Sequence, residues 1–361
     1  MKQMEHRRLH IFNPEHDLAL AANLKRFTPP RVAARLRKDI DFLPAIWAEN
    51  DDLVLVEDVG YAEKCVKELS LYNADFQFVS EECLKNCNNK DKLVVEPWGW
   101  DLSLLEQLDR IGRELLCYPT EQDVAKLRLM SSRAWCAHRV LPLVEALDRR
   151  LVGEAFVTSE VEEADRLVNA LGRCVLKSPW SCSGRGVKYV LSADDWSRHQ
   201  PWVRQTLQRQ GSVTIEPYYN KVLDFAMEFL ADAEGKVRYE GLSVFSAIHG
   251  NYQGNMVTFE EAKREQLGRY IPLELLDTVS EGLSSILGEA LQSGYEGPLG
   301  VDMMVVEQES GFVVHPCVEV NLRRTMGHVA LALWEKMGQK VHFFQIQTPK
   351  AADERVKMKF F

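Results

Sequence analysis

Short apolar runs alternate with amphipathic stretches through the first third of this chain. That alternation limits the possible folds more than any other feature. Leu9–Phe12, Leu53–Glu57, Phe76–Val79, Leu93–Glu96 and Leu115–Tyr118 read as strands. Between them Arg31–Lys38, Ala62–Leu71, Ser80–Asn86 and Ser103–Ile111 read as helices. Strand, helix, strand in this rhythm calls for crossover connections, and those put parallel strands in one sheet with helices on its faces. The expected first domain is therefore α/β with a parallel sheet, over residues 1–118. Pro119-Thr120 and the acidic Glu121 mark a junction and a helix start.

Beyond the junction the pattern changes. Helices are expected over Glu121–Arg139, Glu160–Leu171 and Ala193–Arg209, and Pro142 marks the exit of the first. Strands are expected at Arg173–Ser178 and Val187–Leu191, with a glycine- and serine-rich segment between them. Further strands follow at Val213–Glu216, Phe225–Leu230, Val237–Phe245, Leu299–Glu307 and Phe312–Asn321. Hairpin turns fall at Asp232–Gly235 and Gln308–Gly311. Helices at Leu273–Ser293 and Thr325–Met337 are expected to pack on that antiparallel sheet. The second region is thus α+β, divided at 119–212 and 213–345, with a loose charged tail at 346–361. No internal repeat or low-complexity segment is visible.

Charge and cysteine content exclude some functions. Acidic residues outnumber basic ones by 53 to 44, a formal net charge of −9. That balance argues against nucleic acid as a partner, since bulk binding needs a cationic face. The longest apolar run, Val329–Trp334, is far below the ~20 residues of a membrane span. No apolar signal region follows the N-terminus, and the expected location is cytoplasmic. The eight cysteines form no C-x-x-C pair, so a structural zinc site is not expected, and most read as small buried hydrophobes.

Three groups suit magnesium and a triphosphate. Lys177 ends a strand and is followed by Ser181–Gly186, a loop whose glycines let backbone N–H groups approach phosphate oxygens. Glu319, Asn321 and Arg323 alternate along a strand and share one face, with Asp302 on the preceding strand. Two carboxylates and an amide oxygen are hard ligands of the kind Mg²⁺ takes. Finally, a strand ending Glu216-Pro217-Tyr218-Tyr219 offers backbone groups to a flat heterocycle, and Asp224 an acceptor for ribose hydroxyls.

Taken in this order, strand lysine and glycine loop, acidic strand, Asp and E-x-N-x-R resemble the ATP-grasp superfamily. The resemblance covers roughly residues 120–340. It implies two α+β subdomains that clasp ATP, preceded by an α/β domain such as the one read at 1–118. It also implies roles. Arg133 takes the place of the first nucleotide-binding lysine, and Lys177 that of the second. Ser183, Gly184, Arg185 and Gly186 form the loop over the phosphates. Glu216, Pro217 and Tyr219 form the adenine hinge, and Asp224 takes the ribose place. Asp302, Glu319 and Asn321 hold two Mg²⁺ ions, with Mn²⁺ as a substitute. Arg323 steadies the transferred phosphoryl group, with Lys177 as its catalytic companion. Outside the resemblance, His249 lies in a glycine-rich polar turn with no firm family counterpart and is read from its residues as able to reach the γ-phosphate.

Asn13, His16 and Asp17 follow the first strand, where such sheets line ligand crevices, and are assigned with Arg324 to the substrate. Arg323 and the 13–17 loop are thereby expected on opposite sides of the reaction. Trp98-Gly-Trp100-Asp101 reads as structural. The expected activity is a ligase that turns a carboxylate into an acyl phosphate with Mg-ATP and passes it to an amine. The alternatives are a phosphotransferase on the same fold and a nucleotide-binding sensor without catalysis. The substrates are small molecules; oligomeric state is open.

Overall fold

The structure is a computed structural model. It describes residues 7–71, 74–86, 92–181, 186–248, 251–338, 342–347 and 354–361. Ser183, Gly184, Arg185 and His249 lie outside the described residues. The chain forms two units. One gathers residues 1–125, 254–258 and 323–361; the other gathers 126–253 and 259–322.

The first unit contains the expected parallel sheet. β1 (Arg8–Ile11), β2 (Leu53–Leu55), β3 (Gln77–Val79), β4 (Leu93–Pro97) and β5 (Leu116–Cys117) lie in the order β3-β2-β1-β4-β5. Every pair is parallel, with Leu9 facing Leu53 on one side and Val95 on the other. The sequence order reverses between β1 and β4, which makes that edge the switch point of the sheet. One core lies under Leu9, Ile11, Leu55, Val95, Leu104 and Leu108. Asp101 caps the helix that follows β4 by accepting from Leu104 N at 2.9 Å. Trp98 packs edge-on against Phe12 in a second core of this unit.

The second unit holds two antiparallel sheets. β6 (Phe156–Thr158), β7 (Cys174–Lys177), β8 (Val187–Val190) and β9 (Val213–Pro217) form one, ordered β6-β9-β7-β8. The helices Val161–Leu171 and Ala193–Gln210 cover it through Ala164, Val168, Trp196 and Val203. β10 (Lys221–Ala231), β11 (Val237–Ile248), β13 (Gly297–Gln308) and β14 (Gly311–Asn321) follow, while β12 (Asn251–Met256) begins in this unit and ends in the first. The order β14-β13-β10-β11 builds the other sheet, and β13–β14 is the expected hairpin. The strand at 156–158 escapes sequence reading because it is only three residues long, and the helix Glu260–Leu267 because it is short and mostly polar.

Four expectations need correction. The stretch 121–139 is two helices, Glu121–Met130 and Arg133–Arg139, because the Ser132 side chain accepts from Trp135 N and starts the second. The helix Met326–Met337 belongs to the first unit. Thr325 and His328 form its capping box, and Val329, Ala330 and Leu333 pack with Leu43, Ile46 and Val66. The tail is not loose throughout: β15 (Phe343–Gln347) pairs with β16 (Lys357–Phe360), and Val356 and Met358 are buried. Its charges alternate with those apolar residues and face outward, which composition alone conceals. Among the described cysteines Cys136, Cys174 and Cys317 are buried, but Cys83 and Cys117 are exposed. No helix among the described residues is long and apolar enough to cross a membrane.

Candidate functional site

Lys177 closes β7, which lies between β8 and β9. It stands opposite Thr214, so Glu216, two residues along β9, is its diagonal neighbour on the same face. Their side chains meet at Nζ–Oε2 2.6 Å, and both are buried. This pair faces a cleft of about 580 Å³, within the range of small-molecule sites. Pro217, Tyr218, Tyr219, Lys221, Asp224, Asp302 and Glu319 also line it.

The acidic residues come from the long hairpin. Asp302 on β13 and Glu319 on β14 are direct cross-strand partners. Asn321 Nδ2 donates to Asp302 Oδ2 at 3.2 Å. Three hard oxygen-bearing side chains from two strands leave coordination positions for phosphate oxygens and water, the arrangement Mg²⁺ takes in nucleotide sites. The residues present therefore fit the cation. Asp224 on β10 lines the same cleft, with Lys221 Nζ on its Oδ2 at 2.5 Å. Burial pushes its carboxyl up, against the opposing pull of Lys221.

Arg133 is more firmly held than a lysine in its place would be. Its Nη1 donates to Ser178 O at 2.7 Å and to Ser181 Oγ at 2.8 Å. Its Nη2 donates to Glu319 Oε2 at 2.9 Å. The fork of the guanidinium thus ties the start of the glycine-rich segment to a carboxylate of the hairpin. At the far end of that segment Gly186 O accepts from Ser178 N at 2.8 Å. A Cβ on Gly186 would collide with Ser178 and Ser181, so only glycine fits there.

No family model matches the sequence, and no curated protein matches it. Solved structures do. The biotin carboxylase–βγ-ATP complex from Campylobacter jejuni is 14% identical with a TM-score of 0.50, over 98% of this chain and 74% of that one. N5-carboxyaminoimidazole synthetase from Staphylococcus aureus with ADP is 11% identical with a TM-score of 0.48, over 94% and 82%. D-cycloserine synthetase is 14% identical with a TM-score of 0.45, over 80% and 99%. The chain has the ATP-grasp fold.

Within that ATP-grasp fold, Asn13, His16, Asp17, Arg323 and Arg324 all belong to the first unit. Asn13 is fully engaged between the β1 and β4 loops: Nδ2 donates to Gly99 O at 2.8 Å and Asp101 Oδ2 at 3.1 Å, and Oδ1 accepts from Gly99 N at 3.3 Å. His16 is buried with Nδ1 3.4 Å from Asp101, and a Cβ on Gly99 would strike its ring. These residues lock two loops together. Asp17 and Arg323, expected on opposite sides of the reaction, are instead bonded to each other. The first turn of a helix brings Asp17 to the arginine, a contact 306 positions apart that no spacing rule reveals. Arg324 lies with its guanidinium 4.5 Å over the Trp47 ring.

Lys221 and His315 escape sequence reading. Lys221 opens β10, where no spacing or motif sets it apart. His315 lies on β14 among apolar residues, edge-on to Tyr219 at 5.3 Å. Its ring nitrogens have no hydrogen-bond partner among the described residues. Burial, then the Lys177 charge, holds its pKa at about 3, against an ordinary 6.5. Between those values the unfolded chain binds a proton that the folded one refuses, so stability falls as pH falls through that window. His315→Leu is expected to remove a slope of about 1.4 kcal/mol per pH unit there. Denaturation midpoints at pH 7 and pH 5 check it. An unchanged acid dependence in the variant would refute the assignment.

Proposed function

We propose that this chain is an ATP-dependent ligase that activates a small-molecule carboxylate as an acyl phosphate and transfers the acyl group to an amine or similar nucleophile. The observation that carries the reading is one cleft in the second unit lined by Lys177, Glu216–Lys221, Asp224, Asp302 and Glu319. It combines a cation for phosphate oxygens, an apolar edge for a base, a ribose acceptor and a hard-oxygen metal set. The solved biotin carboxylase of this fold is described as an ATP complex.

In this reading Lys177 donates to phosphate oxygens, and Pro217 O with the Tyr219 segment meets the base. Asp224 accepts from ribose, and Asp302, Glu319 and Asn321 would hold Mg²⁺. The cation, when bound, neutralises charge developing on the transferred phosphoryl group.

Saturating Mg-ATP is expected to raise the melting temperature by several degrees. A ligand at a hundredfold excess over its Kd adds about 2.7 kcal/mol to the native state. A melting curve that Mg-ATP leaves in place, together with no calorimetric heat, would sink the proposal. Where binding is present, ADP release stimulated by paired carboxylates and amines tests the ligase half. Stimulation by an alcohol alone, with a phosphoester as product, would favour phosphotransfer instead.

A further inference from the structure

Two carboxylates of the second unit stand directly opposite each other. Asp302 on β13 and Glu319 on β14 are cross-strand partners, a register in which like charges repel. A cation from a third element answers the repulsion. Arg133 Nη2 donates to Glu319 Oε2 at 2.9 Å, while Asn321 Nδ2 donates to Asp302 Oδ2 at 3.2 Å. Packing sets the arginine's position. Arg133 opens the helix Arg133–Arg139, and its backbone N donates to Pro179 O at 3.1 Å. Three residues on, Cys136 Sγ lies 3.2 Å from the Sγ of Cys317, two residues before Glu319 on β14. Helix and strand are thereby held together, with the arginine side chain 7% exposed and the glutamate 23%. The other arm of the fork, Nη1, is anchored separately on Ser178 O at 2.7 Å and Ser181 Oγ at 2.8 Å.

The guanidinium therefore sits on a carboxylate that the proposed metal set also needs. Two positive charges at one partly buried carboxylate repel more strongly than they would in water, so they compete for it. Arg133 lines the same cleft as Lys177. Phosphate oxygens in that cleft offer its fork a second acceptor of matching geometry. We infer that Arg133 is the built-in counter-ion of the metal site, yielding Glu319 when a divalent cation binds and turning to the nucleotide phosphates. Nη1 keeps its anchors, so only Nη2 changes partner. One guanidinium serving two ligands in turn couples them, and the coupling is reciprocal. Metal alone meets a competitor, whereas nucleotide gives that competitor another place to go. The inference rests on the nucleotide and metal roles proposed above.

Two calorimetric titrations test it: Mn²⁺ alone, and ADP at saturating Mn²⁺. Arg133→Met keeps an apolar stem and removes the charge. It is expected to bind Mn²⁺ alone about fivefold more tightly than the parent, because the competitor is gone. It is expected to bind ADP at saturating Mn²⁺ about tenfold more weakly, because a charged donor to the phosphates is gone. The opposite signs are the signature, since an arginine that only braces the fold would lower both affinities or neither. Arg133→Lys keeps the charge on a single-point donor and is expected to fall between the two proteins in both titrations. It also serves if the methionine variant melts early. Mn²⁺ binding no tighter in either variant than in the parent would overturn the inference. So would an ADP affinity of Arg133→Met within about twofold of the parent, since the guanidinium would then have no phosphate to turn to. A parent that binds neither Mn²⁺ nor ADP, alone or together, would strike the nucleotide and metal reading itself, and the inference with it.

Discussion

Glu319→Gln is expected to fold like the parent and to release ADP more slowly by a factor on the order of a hundred to a thousand. Glutamine keeps the shape of the side chain and one carbonyl oxygen for the 2.9 Å bond from Arg133 Nη2. What disappears is a negative charge opposite Asp302, at the cross-strand position where the cation is proposed to sit. Loss of that charge weakens the hold on Mg²⁺ under the phosphates and leaves transition-state charge less neutralised. Folding has less at stake, because Glu319 is about a quarter exposed. Circular dichroism should overlay on the parent while turnover collapses. Parental ADP release from Glu319→Gln would take the metal assignment away from this hairpin.

The sequence makes some of this site legible and hides the rest for identifiable reasons. Lys177, Glu216, Asp302 and Glu319 sit on strands whose apolar patterning gives their faces away. Alternation along β7, β9, β13 and β14 is a local signal, and the structure gathers those four around one cleft. The parallel sheet is legible for the same reason. Its short strands are mostly apolar and are spaced by helices. Contacts between distant segments are a different matter. The Asp17–Arg323 pair joins positions 306 apart, and the return of Met326–Met337 to the first unit depends on complementarity with Leu43–Ile46. Nothing near Asn13 or His16 separates a loop clasp from a ligand contact, since both need a polar side chain after a strand. Only the geometry decides: the Asn13 amide has its partners within the loops. His315 is hidden differently, because a histidine among apolar strand residues looks the same whether its nitrogens are bonded or not.

A second large effect is expected at the Lys177–Glu216 pair, and it concerns stability before catalysis. The two charges meet at 2.6 Å with less than a tenth of either side chain exposed. Removing charges from water is costly, and a buried pair recovers that cost only while both members are present. Lys177→Met keeps an unbranched chain of similar length but leaves the Glu216 carboxylate buried without its cation. The nucleotide-free variant is therefore expected to lose about 3–5 kcal/mol of stability, read from denaturant midpoints. Lys177→Met/Glu216→Gln is expected to recover much of that loss, since no uncompensated charge remains. Mg-ATP separates the two consequences. The double variant should approach the parent's stability without ligand and still gain far less from nucleotide, because the proposed donor to the phosphate oxygens is gone. A Lys177→Met protein as stable as the parent would mean that water reaches Glu216 and that the pair is not the buried contact described here. A double variant that gains as much from Mg-ATP as the parent would leave Lys177 structural and move phosphate recognition to another group.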